Sequence, residues 1–336
     1  MGTRGEALGS QPGHAPDCGP GNDAGFRLNN NGSGISGDAA APLVLDGNNF
    51  ASGIAVRVNP GNAAFTSNLS NVTIRNTNGD GIRVNAGTLT IGAGVAQSAS
   101  NNDGLRIQGG TVNITNASGT QTSFQNNMGY GIESSQNGTV TITGTRGAPV
   151  PSANGTVLLA FNSQAGLRVD PTPFGSGGTA GLNDVNGVVS WGNSVRDMIV
   201  FAGSKFRLRN SVVGAGPEGI RIQNNGGSDA GNDISQIDLG TAVSFGNNYI
   251  QAPNGALGFH TSAGICLNLG GGHPAQNLFA AGNVMTTTGN PGTQLNCATT
   301  AGTVSKATNC NANGRVSVGN MGGASTPVTY VLNMCN

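Results

Sequence analysis

A short repeated unit constrains the fold of this chain more than any other feature. The unit is a glycine followed by an apolar residue, an arginine and a second apolar residue. Clear copies occupy residues 25–28, 81–84, 104–107, 166–169 and 219–222, and weaker copies occupy residues 55–58, 131–134 and 197–200. The third positions of successive copies lie 22 to 35 residues apart. Recurrence at such intervals predicts a solenoid, in which each repeat stacks on its neighbours.

Each copy of the unit predicts a β-strand. The unit is short, alternates apolar and polar residues and is flanked by glycine and asparagine, whereas a helical repeat would be rich in alanine, leucine, glutamate and lysine. A second strand pattern follows the unit, as at 88–91 and 139–142, and a third precedes it, as at 122–124 and 188–191. Three short strands per repeat predict an all-β, right-handed parallel β-helix of about nine or ten coils with a C-terminal cap.

Asparagine follows the third strand pattern in several repeats, at Asn76, Asn126, Asn162 and Asn193. Asparagine tolerates the positive φ angles of tight corners. Stacked asparagine side chains also hydrogen-bond to one another. We therefore expect Asn126, Asn162 and Asn193 to form a ladder along one corner of the solenoid.

The composition fits a narrow β-helix better than a conventional two-layer core. Glycine accounts for 58 of 336 residues, charged residues for 9% and aromatic residues for 4%. Stacked valine, isoleucine and leucine fill such an interior, and glycine suits its tight corners. The formal net charge is zero, which does not favour nucleic acid or an anionic membrane as a partner. The sequence has no run of 18 apolar residues, so no membrane-inserted helix is predicted.

The sequence predicts three regions. Residues 1–22 are rich in glycine and proline and predict a flexible leader. Residues 23–270 carry the β-helix pattern, and residues 271–336 are assigned to C-terminal coils and a cysteine-containing cap. A solenoid needs a capping element over its first coil, and the sequence shows none. We therefore expect another chain or a missing segment to cover the N-terminal coil.

The cysteines point to an extracellular protein. Four of the five fall in the last 71 residues, as Cys266, Cys297, Cys310 and Cys335. They form no C-x-x-C pair, which argues against a zinc site. Disulfide bonds within the C-terminal cap are favoured over free thiols, with three pairings open and Cys18 left over. Disulfide bonds indicate a secreted or cell-surface location.

Two segments lengthen the repeats, and the pattern loosens towards the C-terminus. Residues 147–155 and 171–187 are expected to bulge out as loops, either as part of a binding face or as tolerated insertions. A third-strand pattern followed by asparagine is expected at 243–248. A further copy of the unit is expected at 264–267, with room for one additional coil between it and Arg221.

A longer motif gives the chain a family resemblance. The motif is Asn-x-Asp-Gly, then isoleucine or leucine, arginine, and valine or isoleucine, found at 78–84 and 101–107. It resembles the repeat of right-handed parallel β-helix proteins of the pectate-lyase-like superfamily, over about residues 24–270. The resemblance implies the fold but leaves function open, because the superfamily includes polysaccharide lyases, glycoside hydrolases, adhesins and non-enzymatic surface proteins. Its lyases hold calcium with several carboxylates, and this sequence shows no such cluster.

The arginines of the unit are the main candidates for ligand binding. Equivalent positions of a β-helix stack about 4.8 Å apart, so a row is expected from Arg57, Arg83, Arg106, Glu133 and Arg168. Stacked like charges repel unless Glu133, counter-ions or a ligand offset them. A uronic-acid polymer would match the row, because guanidinium groups bind carboxylates through paired hydrogen bonds. The alternative is a solvated charged face.

Asp80 and Asp103 are the candidate catalytic residues. Each precedes the glycine of the unit in successive repeats, so they are expected to stack. Two carboxyl groups about 5 Å apart suit a retaining glycoside hydrolase, or a calcium site if other oxygens join them. Aspartate before glycine is also ordinary at turns. Tyr130 takes this place in the next repeat, so the row of aspartates ends there and no metal site is predicted. Calcium is the only cofactor that this pattern leaves open.

Two functions are compatible with these observations. The first is a secreted or surface-exposed structural or binding protein, such as an adhesin, that presents the arginine-lined face to a polysaccharide, a cell envelope or a partner subunit. The second is a polysaccharide lyase or glycoside hydrolase that acts in a groove flanked by residues 147–155 and 171–187. The sparse acidic residues favour the first. Neither nucleic-acid binding nor membrane insertion is expected.

Overall fold

The chain folds into three stacked β-sheets. The computed structural model describes residues 24–47, 53–147, 155–171, 181–225, 233–251, 264–269, 276–286, 299–304, 316–320 and 328–333. Over these ranges the chain forms 30 strands and no helix. The three sheets contain 10, 11 and 9 strands, and the chain visits them in turn. The architecture fits a right-handed parallel β-helix, as the sequence predicts.

Sheet A carries the repeated unit. Its strands are β1 (Ala24–Leu28), β4 (Ile54–Val58), β7 (Ile82–Val84), β10 (Leu105–Ile107), β13 (Ile132–Ser134), β16 (Ala165–Val169), β19 (Arg196–Phe201), β22 (Ile220–Gln223), β25 (Ile265–Leu269) and β29 (Val316–Asn320). The register pairs the third positions of all eight units in order, from Arg27 to Arg221. The repeat inferred from the sequence is therefore confirmed.

Sheet B follows sheet A in each coil. Its strands are β2 (Ser33–Ser36), β5 (Thr66–Ser70), β8 (Thr88–Ile91), β11 (Thr111–Asn116), β14 (Thr139–Gly144), β17 (Asn183–Asn186), β20 (Phe206–Arg209), β23 (Ile237–Asp238), β26 (Gln276–Phe279), β28 (Thr299–Val304) and β30 (Val328–Asn333). Pairing in this sheet is parallel except between β28 and β30, which are antiparallel.

Sheet C completes each coil. Its strands are β3 (Leu43–Asp46), β6 (Val72–Arg75), β9 (Ala96–Ser98), β12 (Thr122–Gln125), β15 (Val157–Ala160), β18 (Val188–Trp191), β21 (Val212–Gly214), β24 (Tyr249–Gln251) and β27 (Val284–Thr286). Strand β9 escaped the sequence analysis because its inward residue is Gln97, not an apolar side chain. Gln97 is buried and donates from Nε2 to Oδ1 of Asn127 at 2.9 Å.

Apolar side chains from the three sheets point inward and stack one above another. At one position of sheet A, consecutive strands pair Ile82, Leu105, Ile132 and Leu167, and each is fully buried. Burial of such a side chain contributes about 1.5–3 kcal/mol. A continuous column of these residues fills the interior along the described part of the stack.

The glycine of the repeated unit lets successive coils approach closely. A Cβ atom added to Gly131 would lie 2.7 Å from the carbonyl oxygen of Gly166 in the next coil and 2.9 Å from Nδ2 of Asn162. Gly81 and Gly104 face the carbonyl oxygen of the next coil in the same way. The repeated glycine is therefore a packing requirement of the stack.

Gly131→Ala is expected to lower the free energy of unfolding by about 1–3 kcal/mol, because the backbone of the next coil must move. Gly61→Ala is the matched control, since nothing lies within 4 Å of a Cβ atom at that position. Urea unfolding followed by circular dichroism measures both variants. Equal stability of the two variants would contradict the packing requirement.

A buried polar ladder runs along the corner between sheets C and A. Asn127 Nδ2 donates to Oδ1 of Asn162, and Asn162 Nδ2 donates to Oδ1 of Asn193, each at 2.9 Å. Asn193 Nδ2 then donates to Oδ1 of the fully buried Asp197 at 2.9 Å. The predicted ladder exists, but Asn127 takes the place expected for Asn126.

The shift of one residue has a structural reason. Asn126 and Asn76 adopt the left-handed backbone conformation, each with φ 56°, at the turn itself. The residue after the turn points into the ladder, so the hydroxyl of Thr77 lies 2.6 Å from that of Ser100. Ser100 continues the ladder by donating its backbone N–H to Oδ1 of Asn127 at 3.0 Å. Turn and ladder positions are adjacent, and asparagine suits both.

The expectation of an additional coil between Arg221 and the copy of the unit at 264–267 is wrong. Strand β22 pairs directly with β25, and Arg221 lies opposite Cys266. The chain between them contributes β23 to sheet B and β24 to sheet C, as one coil requires. The segment between β22 and β25 is unusually long, and its residues 226–232 and 252–263 lie outside the described residues.

Two other expectations also need correction. Residues 243–248 do not form a strand, and Val243 is 97% exposed. The sheet C strand of this coil begins at Tyr249. Part of the predicted loop at 171–187 is strand β17, which pairs with β14. Its sequence, Asn-Asp-Val-Asn, has a single apolar residue and therefore a weak strand pattern.

The parallel stack continues past residue 270. Strands β26, β27, β29 and β30 extend the three sheets beyond that point. Cys266 is buried in β25. The leader predicted at 1–22 lies outside the described residues, as do Cys18, Cys297, Cys310 and Cys335. The C-terminal cap and its disulfide bonds stay predictions.

Candidate functional site on the outer face of sheet A

Outward side chains of sheet A form a continuous line, here called the charged row. Its members lie opposite one another in five consecutive strands and are Arg57, Arg83, Arg106, Glu133 and Arg168. These are the five residues that the sequence predicts as ligand-binding, and the structure brings all of them together. Arg27 pairs with Arg57 at one end of the row, and Arg221 lies two strands beyond Arg168.

The two candidate catalytic residues lie beside the charged row. Asp80 and Asp103 occupy successive coils, and the backbone N–H of Asp103 donates to Oδ1 of Asp80 at 3.3 Å. Both residues are buried. Asp80 also accepts hydrogen bonds at 2.6 Å from Nε of Arg83 and from Nδ2 of Asn102. The carboxylate of Asp80 therefore already accepts hydrogen bonds from three neighbouring residues.

Glu133 lies between two arginines of the charged row. Its carboxylate is 3.0 Å from Nε of Arg106 and 3.7 Å from Nη1 of Arg168. The contact with Arg106 is a charge contact without the alignment of a hydrogen bond. Glu133 thus offsets part of the repulsion that stacked arginines would otherwise create.

Arg168 is held from several sides. Its Nε and Nη2 donate to the two carboxylate oxygens of Asp170, both at 2.8 Å, and its Nη1 donates to the hydroxyl of Tyr130 at 3.2 Å. The guanidinium carbon lies 5.2 Å from the ring centroids of both Tyr130 and Phe201. Aromatic faces attract a guanidinium group at this distance. These contacts fix the orientation of Arg168.

A second ion-pair cluster extends the face. Glu218 accepts a hydrogen bond from Nε of Arg221 at 2.7 Å and a second one from its Nη2. Glu218 also lies 3.5 Å from Nε of Arg196. Neither Asp170 nor Phe201 is predicted from the sequence to be part of the site. Period-two alternation could have found both, because each lies two residues after an outward position of sheet A.

Asp103 retains a proton at neutral pH. Burial raises the pKa of Asp103 to about 8, and a hydrogen bond with Glu133 and the negative charges of Glu133 and Asp80 act in the same direction. The backbone N–H of Tyr130, which donates to Oδ1 at 2.8 Å, opposes this shift. The carboxyl group of Asp103 therefore favours its protonated form in the folded protein.

Positive charge exceeds negative charge on this face at pH 7. Seven arginines lie on the face or beside it, namely Arg27, Arg57, Arg83, Arg106, Arg168, Arg196 and Arg221. Five carboxyl groups lie among these arginines, namely those of Asp80, Asp103, Glu133, Asp170 and Glu218, and burial raises the pKa of Asp103 to about 8. Burial raises the pKa of Asp170, but its hydrogen bonds with Arg168 favour the ionised form. Seven arginines against five carboxyl groups leave a formal excess of two positive charges, and protonation of Asp103 adds to it, on a chain whose formal net charge is zero.

The two predicted loops leave the stack at different corners. Residues 147–155 connect β14 of sheet B to β15 of sheet C, away from sheet A. The second loop follows Asp170 at the end of β16 and so adjoins the charged row. The middle of each loop lies outside the described residues. The groove that the alternative function expects between these loops therefore stays a prediction.

The described residues also bear on metal binding and on membrane insertion. Among them, no group of three or more histidine, cysteine, aspartate or glutamate side chains is placed to hold a metal ion. Nor does this part of the chain contain a helix that is long and apolar enough to cross a membrane.

Comparison with known proteins gives no family assignment. No protein-family model, no curated protein and no solved structure matches this chain. The functional inference therefore depends on the geometry and charge of the outer face of sheet A.

Proposed function

We propose that this protein is a secreted or surface-exposed β-helix protein that binds an acidic polysaccharide along the charged row. The observation that carries the proposal is the local excess of positive charge on a chain with no formal net charge. Guanidinium groups form strong paired hydrogen bonds with carboxylates. Because neighbouring strands lie about 4.8 Å apart, the row offers cationic groups at regular intervals to an extended uronic-acid polymer.

The state of the carboxyl groups favours binding without catalysis. Asp80 already accepts hydrogen bonds from Arg83 and Asn102. Asp103 and Glu133 are only 2% and 5% exposed. A glycoside hydrolase needs carboxyl groups that reach the scissile bond from both sides. We therefore favour an adhesin-like binding role over lyase or hydrolase activity.

The proposal also places the chain in the pectate-lyase-like superfamily. The parallel β-helix and the repeated motif at 78–84 and 101–107 support this placement. Disulfide bonds among Cys266, Cys297, Cys310 and Cys335 and an extracellular location belong to the same proposal.

A partner chain or a further segment is proposed to cover the N-terminal coil. Phe26 takes the inward position that pairs with Val56 in the next coil. Val56 is fully buried, whereas Phe26 is 39% exposed. A partly exposed aromatic ring at the end of a hydrophobic core supports the presence of a covering element.

Retention on immobilised polymers tests the binding function. Polygalacturonate and alginate are expected to retain the protein because both carry carboxylates, whereas neutral dextran is not. Retention on the uronates is expected to weaken at high sodium chloride, since salt screens exposed charges. Affinity chromatography at graded salt, with and without calcium, measures this.

The same samples are assayed for unsaturated products and new reducing ends. Product formation that disappears in Asp103→Ala would make the protein an enzyme and contradict the proposal. Equal retention on dextran and on the uronates, or no retention on any polymer, would contradict it as well.

A further inference from the structure

We propose that Phe161 and Trp191 form an aromatic platform that binds a neutral, β-linked glycan at the corner between sheets C and A. The two residues lie in successive coils, because Ala160 at the end of β15 pairs with Trp191 at the end of β18. Neither residue belongs to the charged row, and the glycan carries no charge. This second binding site therefore goes beyond the proposed function and does not depend on it.

The backbone conformation of Phe161 is unusual for its side chain. In six successive coils, the residue after the sheet C strand adopts the left-handed conformation, with φ between 55° and 65°. These residues are Asn76, Ala99, Asn126, Phe161, Gly192 and Ala215. A bulky side chain is disfavoured in this conformation, and Phe161 is nevertheless 51% exposed, so burial does not offset the strain. Strained residues of this kind cluster at ligand-binding sites.

A glycine of the next coil makes room for each aromatic ring. A Cβ atom at Gly192 would lie 2.8 Å from Cε1 of Phe161, and one at Gly214 would lie 2.9 Å from Cζ3 of Trp191. Each ring thus fills the space in which a side chain of the next coil would lie. Trp191 also packs against the apolar cluster on the outer face of sheet C, which includes Leu158. The rings are therefore held along the surface of the stack.

The side chains around the two rings are polar but uncharged. Residues 125–128, 160–164 and 191–195 contain no charged residue. Asn126, Gln164 and Ser194 are exposed there, and their amide and hydroxyl groups both donate and accept hydrogen bonds. These groups offer no counter-charge to an anionic polymer or an anionic membrane.

A β-linked hexose such as glucose matches this combination of groups. Its ring substituents are equatorial, so each face of the sugar ring carries C–H groups and the rim carries hydroxyl groups. Aromatic rings bury apolar surface of this kind. The neutral side chains around the platform suit the hydroxyl groups of the rim.

Fluorescence titration of the intact protein with cellohexaose tests the inference. Trp191 is the single tryptophan of the chain, so its emission reports on the platform. We expect a saturable change in emission that sodium chloride does not alter, because salt screens only charged groups. Dextran has an axial linkage on one face of each ring, and polygalacturonate oligosaccharides are expected on the charged row. Neither is expected to change the emission.

Phe161→Asn separates a binding role from a structural one. Asparagine occupies the equivalent turn position at Asn76 and Asn126, each with φ 56°. The variant is therefore expected to fold and to unfold at a higher urea concentration than the wild type. Its affinity for cellohexaose is expected to fall roughly tenfold, since one aromatic contact is lost. Phe279→Ala is the matched control, because Phe279 is 40% exposed in sheet B, and its affinity should equal that of the wild type.

Unchanged affinity of Phe161→Asn, or no response of the wild type to cellohexaose, would overturn the inference. A lower urea midpoint of Phe161→Asn would overturn it too, because the ring would then serve the fold. So would a change in emission with protein concentration alone, which would assign the platform to contact between copies of this chain. Each of these outcomes leaves the retention on uronates untouched, so the two proposals fail independently.

Discussion

Asn162→Ala is expected to lower the free energy of unfolding by about 2–5 kcal/mol. Oδ1 of Asn162 accepts hydrogen bonds from the backbone N–H of Asn127 at 3.2 Å and from its Nδ2 at 2.9 Å. Alanine leaves the backbone N–H of Asn127 and one of the two hydrogens on its Nδ2 without a partner, while the other hydrogen still bonds to Gln97. Each buried donor left without a partner costs about 1–3 kcal/mol. Urea unfolding followed by the fluorescence of Trp191, the single tryptophan of the chain, measures the loss.

Asn126→Gly is the matched control for the ladder. It changes the same residue type in the same corner, but Asn126 is exposed and has a φ of 56°, which glycine adopts readily. Its effect on the free energy of unfolding is expected to stay below about 1 kcal/mol. Similar losses in the two variants would show that the ladder does not stabilise this corner.

Asp103→Asn is expected to become progressively more stable than the wild type as pH rises from about 4 to about 8. Burial and Glu133 raise the pKa of Asp103 from 3.8 in the unfolded chain to about 8 in the folded protein. Within this window the folded wild type keeps a proton that the unfolded chain releases, so its free energy of unfolding falls as pH rises. The fall is at most about 1.4 kcal/mol per pH unit. Asparagine does not titrate and escapes this loss.

Parallel urea titrations of the wild type and Asp103→Asn across this pH range measure the difference. Titrating groups that do not interact with Asp103 contribute equally to both proteins, so they cancel in the comparison. A stability difference that stays constant with pH would contradict the raised pKa of Asp103 in the folded protein. A difference that instead grows towards low pH would mean that Asp103 is ionised in the folded state.

The register of sheet A could be predicted from the sequence because one local pattern specifies it. Alternating apolar residues must face the interior, so a slip by one residue would expose all of them. The glycine of the unit adds a second constraint, since Gly131 leaves no room for a Cβ atom. These two requirements recur in most coils and together align Arg57, Arg83 and Arg106.

Other features depend on contacts between coils that no local pattern specifies. Asn126 and Asn127 are the same residue type, and only the turn decides which of them enters the ladder. The engagement of Asp80 by Arg83 and the enclosure of Asp103 follow from side-chain directions in neighbouring coils. Strand β17 is not predicted by its own residues, because its stability comes from pairing with the neighbouring strands β14 and β20.

Removal of one arginine from each of two faces tests whether the charged row binds an acidic polymer. Arg83→Gln acts on sheet A, and glutamine can still donate a hydrogen bond to Asp80. Arg207→Gln is the control, since Arg207 pairs with Asp184 on sheet B in a similar ion pair. Calorimetric titration with polygalacturonate oligosaccharides at neutral pH measures both variants. Binding is expected to weaken in Arg83→Gln and to stay unchanged in Arg207→Gln. Equal affinities for the two variants would contradict binding along the charged row.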